Sequence, residues 1–111
     1  MEQELAKIKT LYNAVSKILD FTEEFNNVDE LTANTMAWDA VKMNLVVIYE
    51  TYLKLNGEII EKYSSVPWHE IETHKPKLEN QYLGFDSDEI WRVVHDRMPE
   101  FKEQLKQVID N

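Results

Sequence analysis

Pro67-Trp68-His69-Glu70-Ile71 and, after a short gap, Gln81-Tyr82-Leu83-Gly84-Phe85-Asp86 decide how the rest of the chain is read. The sequence on either side is long amphipathic helix. The window itself gathers two of the three prolines, two of the three histidines and one of the two glycines. Pro67 suits the first turn of a short helix anchored by Trp68 and Ile71. Pro76 cannot continue that helix, because it lacks an N–H and disfavours helical geometry at Lys75. A second short helix is expected from Pro76 to about Leu83, with Gly84 as its left-handed stop.

Downstream, Asp86-Ser87-Asp88-Glu89 has the spacing of a capping box, with an acid at the N-cap and a glutamate three residues on. Ile90, Trp91, Val94, Met98, Phe101, Leu105 and Val108 then trace one apolar stripe, which Pro99 should kink or restart near Arg97-Met98. Upstream, Thr35 is the expected N-cap of a long helix from Met36 to about Leu55. Trp38, Val41, Leu45, Ile48, Tyr52 and Leu55 share one of its faces. Met36, Met43, Val46, Val47 and Tyr49 extend the apolar surface well past that face, as expected of a central helix or one covered by a second chain. Asn44 and Glu50 interrupt this surface. Each either points to solvent or a local hydrogen bond, or lines a polar pocket, and the first reading is the simpler. Asn56-Gly57 breaks the helix.

At the start of the chain, Leu5, Ile8, Leu11, Tyr12, Val15, Ile18 and Leu19 recur at three- and four-residue steps, which predicts a helix from Glu2 to about Phe25. Phe25-Asn26-Asn27 ends it, and Asp29 to Ala33 fits one further turn. No alternating strand pattern and no internal repeat interrupts this series. The sequence predicts one domain over residues 1–111, an all-α antiparallel bundle of about four to five helices with a kinked last helix.

Composition narrows the function classes. A net charge of -9, with 12 basic against 21 acidic residues, disfavours stable nucleic-acid binding by the domain as a whole. No DNA partner is expected. The absence of cysteine excludes disulfides and thiolate chemistry and fits a reducing cytoplasm. Met1-Glu2-Gln3-Glu4 lacks the basic-then-apolar order of a signal peptide, and the apolar run Leu45 to Tyr49 is too short to span a bilayer. His69 and His74 stand five residues apart, about 140° round a helix, so they do not form the zinc-protease pair, whose histidines are four apart. His95 adds no third ligand. No metal is expected. With two glycines in the chain there is neither a phosphate-cradling loop nor a nucleophile elbow, and no cofactor is implied. Carboxylate pairs such as Glu70 and Glu72 are uninformative in so acidic a protein.

The central stretch nevertheless resembles a known family. Pro67-Trp68-x-Glu70-Ile71 followed by Asn80-x-Tyr82-Leu83-Gly84-Phe85-Asp86 is similar to the core segment of HepT-like proteins. These are small helical toxins of the HEPN superfamily, encoded beside a minimal nucleotidyltransferase antitoxin. Trp38-Asp39-Ala40-Val41, Asn44-Leu45 and Ile48-Tyr49-Glu50 resemble that family's second helix. Glu89-Ile90-Trp91 and Met98-Pro99-Glu100-Phe101-Lys102 resemble its closing helix.

The resemblance implies a homodimer and a metal-independent endoribonuclease chemistry. That chemistry is carried by an arginine-asparagine pair, a histidine four residues later and a tyrosine just beyond. Here Lys75 stands at the arginine position, Pro76 at the asparagine, Asn80 at the histidine and Tyr82 at the tyrosine. Asn80 has no titratable group for acid–base work, and Lys75 lacks the planar fork that grips phosphate. The resemblance therefore implies a catalytically impaired family member that dimerises and engages a nucleotidyltransferase. RNA would be a partner only of an active enzyme. The alternative is an active ribonuclease in which a residue such as His74 takes over, although His74 lies about 100° round a helix from Lys75. Tyr82 would be the site of adenylate attachment by the partner, a retained docking point or a packing aromatic.

Overall fold

The computed structural model describes residues 2–79 and 82–111. Its frame is helical, and the helices follow the apolar periodicity. α1 (Glu2–Thr22) buries Ile8, Leu11, Val15 and Ile18, each 1% exposed or less. Leu5 departs from the expected stripe, since it lines an open groove shared with Ile59, Tyr63 and Val108. The helix stops three residues short of Phe25, where the buried Thr22 hydroxyl donates back to the Ile18 carbonyl at 2.9 Å. Asn27 caps α2 (Val28–Ala33) by accepting from the Glu30 N–H.

α3 (Thr35–Leu53) is the central helix, packed against α1 and α2. Its cap is Asn34, which displaces Thr35, the residue expected in that role. The Asn34 side chain accepts from the Ala37 N–H at 3.0 Å while its own N–H closes α2 on the Leu31 carbonyl at 3.1 Å. Asparagine caps at least as well as threonine, so Thr35 becomes the first helical residue. Val41, Leu45 and Ile48 are buried beneath α3, with Trp38 and Tyr52 half-buried beside them.

Asn56 caps α4 (Gly57–Lys62). The start of α1 is clasped to the end of α3, because Glu4 accepts from the Asn56 N–H and Lys7 donates to the Lys54 carbonyl. α5 (Trp68–Thr73) follows Pro67. α6 (Ser87–Asp96) begins at the predicted cap, the Asp86 side chain accepting from the Glu89 N–H. α7 (Met98–Asp110) restarts after Arg97 with Pro99 in its first turn, as the sequence predicts. Its face of Met98, Phe101, Leu105 and Val108 closes the core against α1. Three short helices, α2, α4 and α5, bring the described residues to seven helices around one all-α core.

The segment after Pro76 is a correction. No second short helix runs from Pro76 to Leu83. Instead β1 (Lys77–Glu79) and β2 (Tyr82–Gly84) form an antiparallel pair, with Lys77 opposite Gly84, Leu78 opposite Leu83 and Glu79 opposite Tyr82. Pro76 disfavours helical geometry at Lys75 and so ends α5 before this segment. Gly84 therefore pairs in the ladder and does not act as a helix stop.

Candidate functional site

Trp68 sets the site's geometry. It is 7% exposed, stacks on Tyr52, meets Phe101 edge-on and donates its indole N–H to the Tyr63 carbonyl at 3.1 Å. With Ile71 also buried, α5 can turn only one face outward, and that face carries Glu70 and His74. Burial pushes the Tyr52 phenol above its ordinary value, and the Glu72 carboxylate adds to the shift.

Glu70 is the hub. One carboxylate oxygen accepts from Arg97 Nε at 3.0 Å and lies 3.5 Å from His69 Nε2, while the other lies 3.2 Å from His74 Nε2. The second ring nitrogen of His74, Nδ1, lies against the carboxylate of Glu89. Side-chain exposure is 16% for His74, 18% for Glu70 and 43% for Arg97. The group thus joins the end of α5 to the first turn of α6 and to the break before α7. A carboxylate thus lies beside each ring nitrogen of His74.

Behind this polar group opens a small cavity of about 50 Å³. Its walls are apolar, from Leu45, Ile48, Val93, Met98 and Phe101, while Tyr49, Glu70, His74 and Arg97 supply the polar lining.

Of the residues singled out in the sequence, His74 lines this cavity, whereas Asn44 and Glu50 do not. Asn44 donates to the Ala40 carbonyl one turn back, and Glu50 is exposed. Lys75 is exposed just beyond His74. Asn80 lies outside the described residues. Tyr82 is placed by its backbone alone, opposite Glu79. His95 turns away onto its own helix, with Nδ1 2.8 Å from the Trp91 carbonyl and its ring on the Trp91 indole. Among the described residues no group of three or more metal-ligating side chains could hold an ion.

Sequence reasoning missed Glu70, Glu89 and Arg97 as site residues. Two signals were present. Glu70 and His74 stand four apart on one helix, and both arginines and all three histidines of the chain fall between residues 69 and 97.

A small helical bundle with a polar group at the junction of α5, α6 and α7 is the class that fold and site define. A family model described as ribonuclease HepT-like matches residues 11–108, and the chain belongs to that family. A Methanocaldococcus jannaschii protein carrying the provisional name RNase is 31% identical over 102 residues, 89% of this chain and 87% of its own. A second from that organism, with the same provisional name, is 32% identical over 92 residues, 83% of this chain and 75% of its own. A third is named for γ-glutamylcyclotransferase together with a provisional RNase. It is 26% identical over 93% of this chain, which spans 48% of that protein's length. No solved structure matches significantly.

Proposed function

We propose that this chain is a HepT-like protein whose cleavage chemistry has been lost, and that it acts as a homodimer engaging a small nucleotidyltransferase in a toxin–antitoxin pair. The surroundings of His74 carry this reading. Asn80 at the motif's histidine position cannot transfer protons, and the neighbouring His74 has both nitrogens against carboxylates, Glu70 and Glu89. Loss of a general acid or base alone costs about 10²–10⁴-fold in rate. The family membership and the relatives' names support the ribonuclease ancestry. The exposed apolar positions Met36, Met43 and Leu53 on α3 support a second copy covering that helix. A lasting interface there would bury at least about 1,000 Å² in total. Tyr82 is the proposed adenylate acceptor. The proposed setting is the cytoplasm, in keeping with a chain that has no cysteine.

The experiment is cleavage of single-stranded RNA without metal. Wild type is expected to leave it uncut. The combined Lys75→Arg, Pro76→Asn and Asn80→His variant should regain cutting and leave cyclic phosphate ends. Robust cutting by wild type that survives Lys75→Ala and Asn80→Ala but vanishes in His74→Ala would overturn the reading. It would make the protein an active ribonuclease in which His74 serves as base. Intact mass after incubation with the partner and ATP tests Tyr82, with Tyr82→Phe as the control that must show no adduct. Sedimentation at tens of micromolar tests the dimer.

A further inference from the structure

We propose that the groove between the start of α1, α4 and the end of α7 is a docking site for a short basic segment of a partner protein, which anchors one leucine- or phenylalanine-sized side chain between its apolar walls. The proposal does not rest on the ribonuclease reading, since the groove lies at the far end of the 13-residue α7 from Arg97 and its polar group. Leu5, Ile8, Ile59 and Val108 form the walls around a space of about 170 Å³. Size decides what can sit there. A cavity of about 150 Å³ accepts one benzene ring, whereas small-ligand sites run to about 300–1,000 Å³. The groove thus holds one large apolar side chain and leaves the rest of its bearer outside, the arrangement of an anchor residue in a protein contact.

The groove is built in advance. Glu4 accepts from the Asn56 N–H at 3.0 Å and Lys7 donates to the Lys54 carbonyl at 2.9 Å, so the start of α1 is fixed against the turn that leads into α4. A preformed pocket costs its ligand less ordering. Leu5 stays exposed on its edge, one turn before the enclosed Ile8.

Charge selects the residues that flank the anchor. Among the described residues no lysine or arginine lines the groove, whereas Glu2 and Glu4 do. Glu58 and Asp110, both exposed, stand beside Ile59 in α4 and at the end of α7. Two nearby cations are engaged: Lys7 pairs with Glu4 at 2.9 Å, and the Lys62 ammonium lies 5.3 Å from the centre of the Tyr63 ring. A lysine or arginine on either side of the anchor would meet this acidic rim, and an acidic neighbour would be repelled.

The test is NMR titration of the full chain with three blocked pentapeptides and phenethylamine. One peptide carries a central phenylalanine between lysines, one the same phenylalanine between glutamates, and one a central glycine between lysines. The first is expected to bind on the order of 1 mM, the range open to one buried side chain with exposed ion pairs, and to shift the methyl groups of Leu5, Ile59 and Val108. The other two peptides should bind at least about tenfold more weakly. Glu2→Gln should weaken the first about twofold to fourfold, as loss of one exposed ion pair does. Leu5→Glu keeps the rim acidic and removes an exposed part of the wall. It should bring the first peptide down to the level of the glycine peptide while urea unfolding stays near that of wild type. No shift in the groove with any probe, equal binding of the lysine- and glutamate-flanked peptides, or binding unchanged in Leu5→Glu overturns the proposal. Phenethylamine binding as tight as that of the first peptide would also overturn it, by making the groove a small-amine site.

Discussion

α1 and α3 are the two long helices, 21 and 19 residues, and each crosses the same core. α1 sorts its side chains by face: Ile8, Leu11, Val15 and Ile18 are inside, and lysines and glutamates are outside. α3 does not sort. It buries Val41, Leu45 and Ile48 and still leaves Met36 at 82%, Met43 at 61% and Leu53 at 54% exposure. Intrachain packing explains most strongly apolar positions of α1, with Leu5 and Phe21 at 37% exposure as its exceptions, but a smaller part of α3. The difference separates residues that hold the fold from residues available for assembly.

The sharpest test of that contrast is Ile18→Ala. Ile18 is fully enclosed, so the truncation should cost about 2–5 kcal/mol in urea unfolding. A cost below 1 kcal/mol, on the order of a surface change, would break the contrast. Asn34→Ala comes next. Asn34 closes α2 and opens α3, so loss of its side-chain cap should cost about 1 kcal/mol, and Asn34→Asp should retain most of it. Met43→Lys should change monomer stability by no more than about 0.5 kcal/mol yet abolish the proposed dimer in sedimentation. A large loss of monomer stability would move Met43 into the class of Ile18.

The smallest effect concerns Glu4. The Asn56 N–H and then the Lys7 ammonium hold its carboxyl below the usual value of 4.5. The folded state therefore binds this proton less readily than the unfolded chain. The stability it contributes is present above the unfolded value and disappears as pH falls through the folded one. Glu4→Gln should slightly lower stability at neutral pH, flatten that part of the acid-unfolding profile and converge with wild type at low pH.

The long helices were legible because their apolar residues recur with the helical period, and the starts of α6 and α7 because Asp86 and Pro99 act locally. The hairpin was not legible. Lys77 to Gly84 has no alternating pattern long enough to register, and its pairing depends on Pro76 having already ended α5. The N-cap at Asn34 was missed because Thr35 offered an equally acceptable signal one residue later. Within the site, the pairing of Glu70 with His74 could be read from their four-residue spacing on one helix. The Glu70–Arg97 contact could not, since it joins residues 27 apart and arises only when α5 and α7 pack on the same core.

The contact also has a mechanical side. Pro99 removes the donor that would have continued α6 into α7, which leaves a natural pivot at Arg97. Glu70 pins that pivot to the anchored α5. A lever bolted at its bend cannot flex alone, so α5 and the first turn of α7 must loosen together. Their amides should then exchange with solvent as one cooperative unit, though they are far apart in sequence.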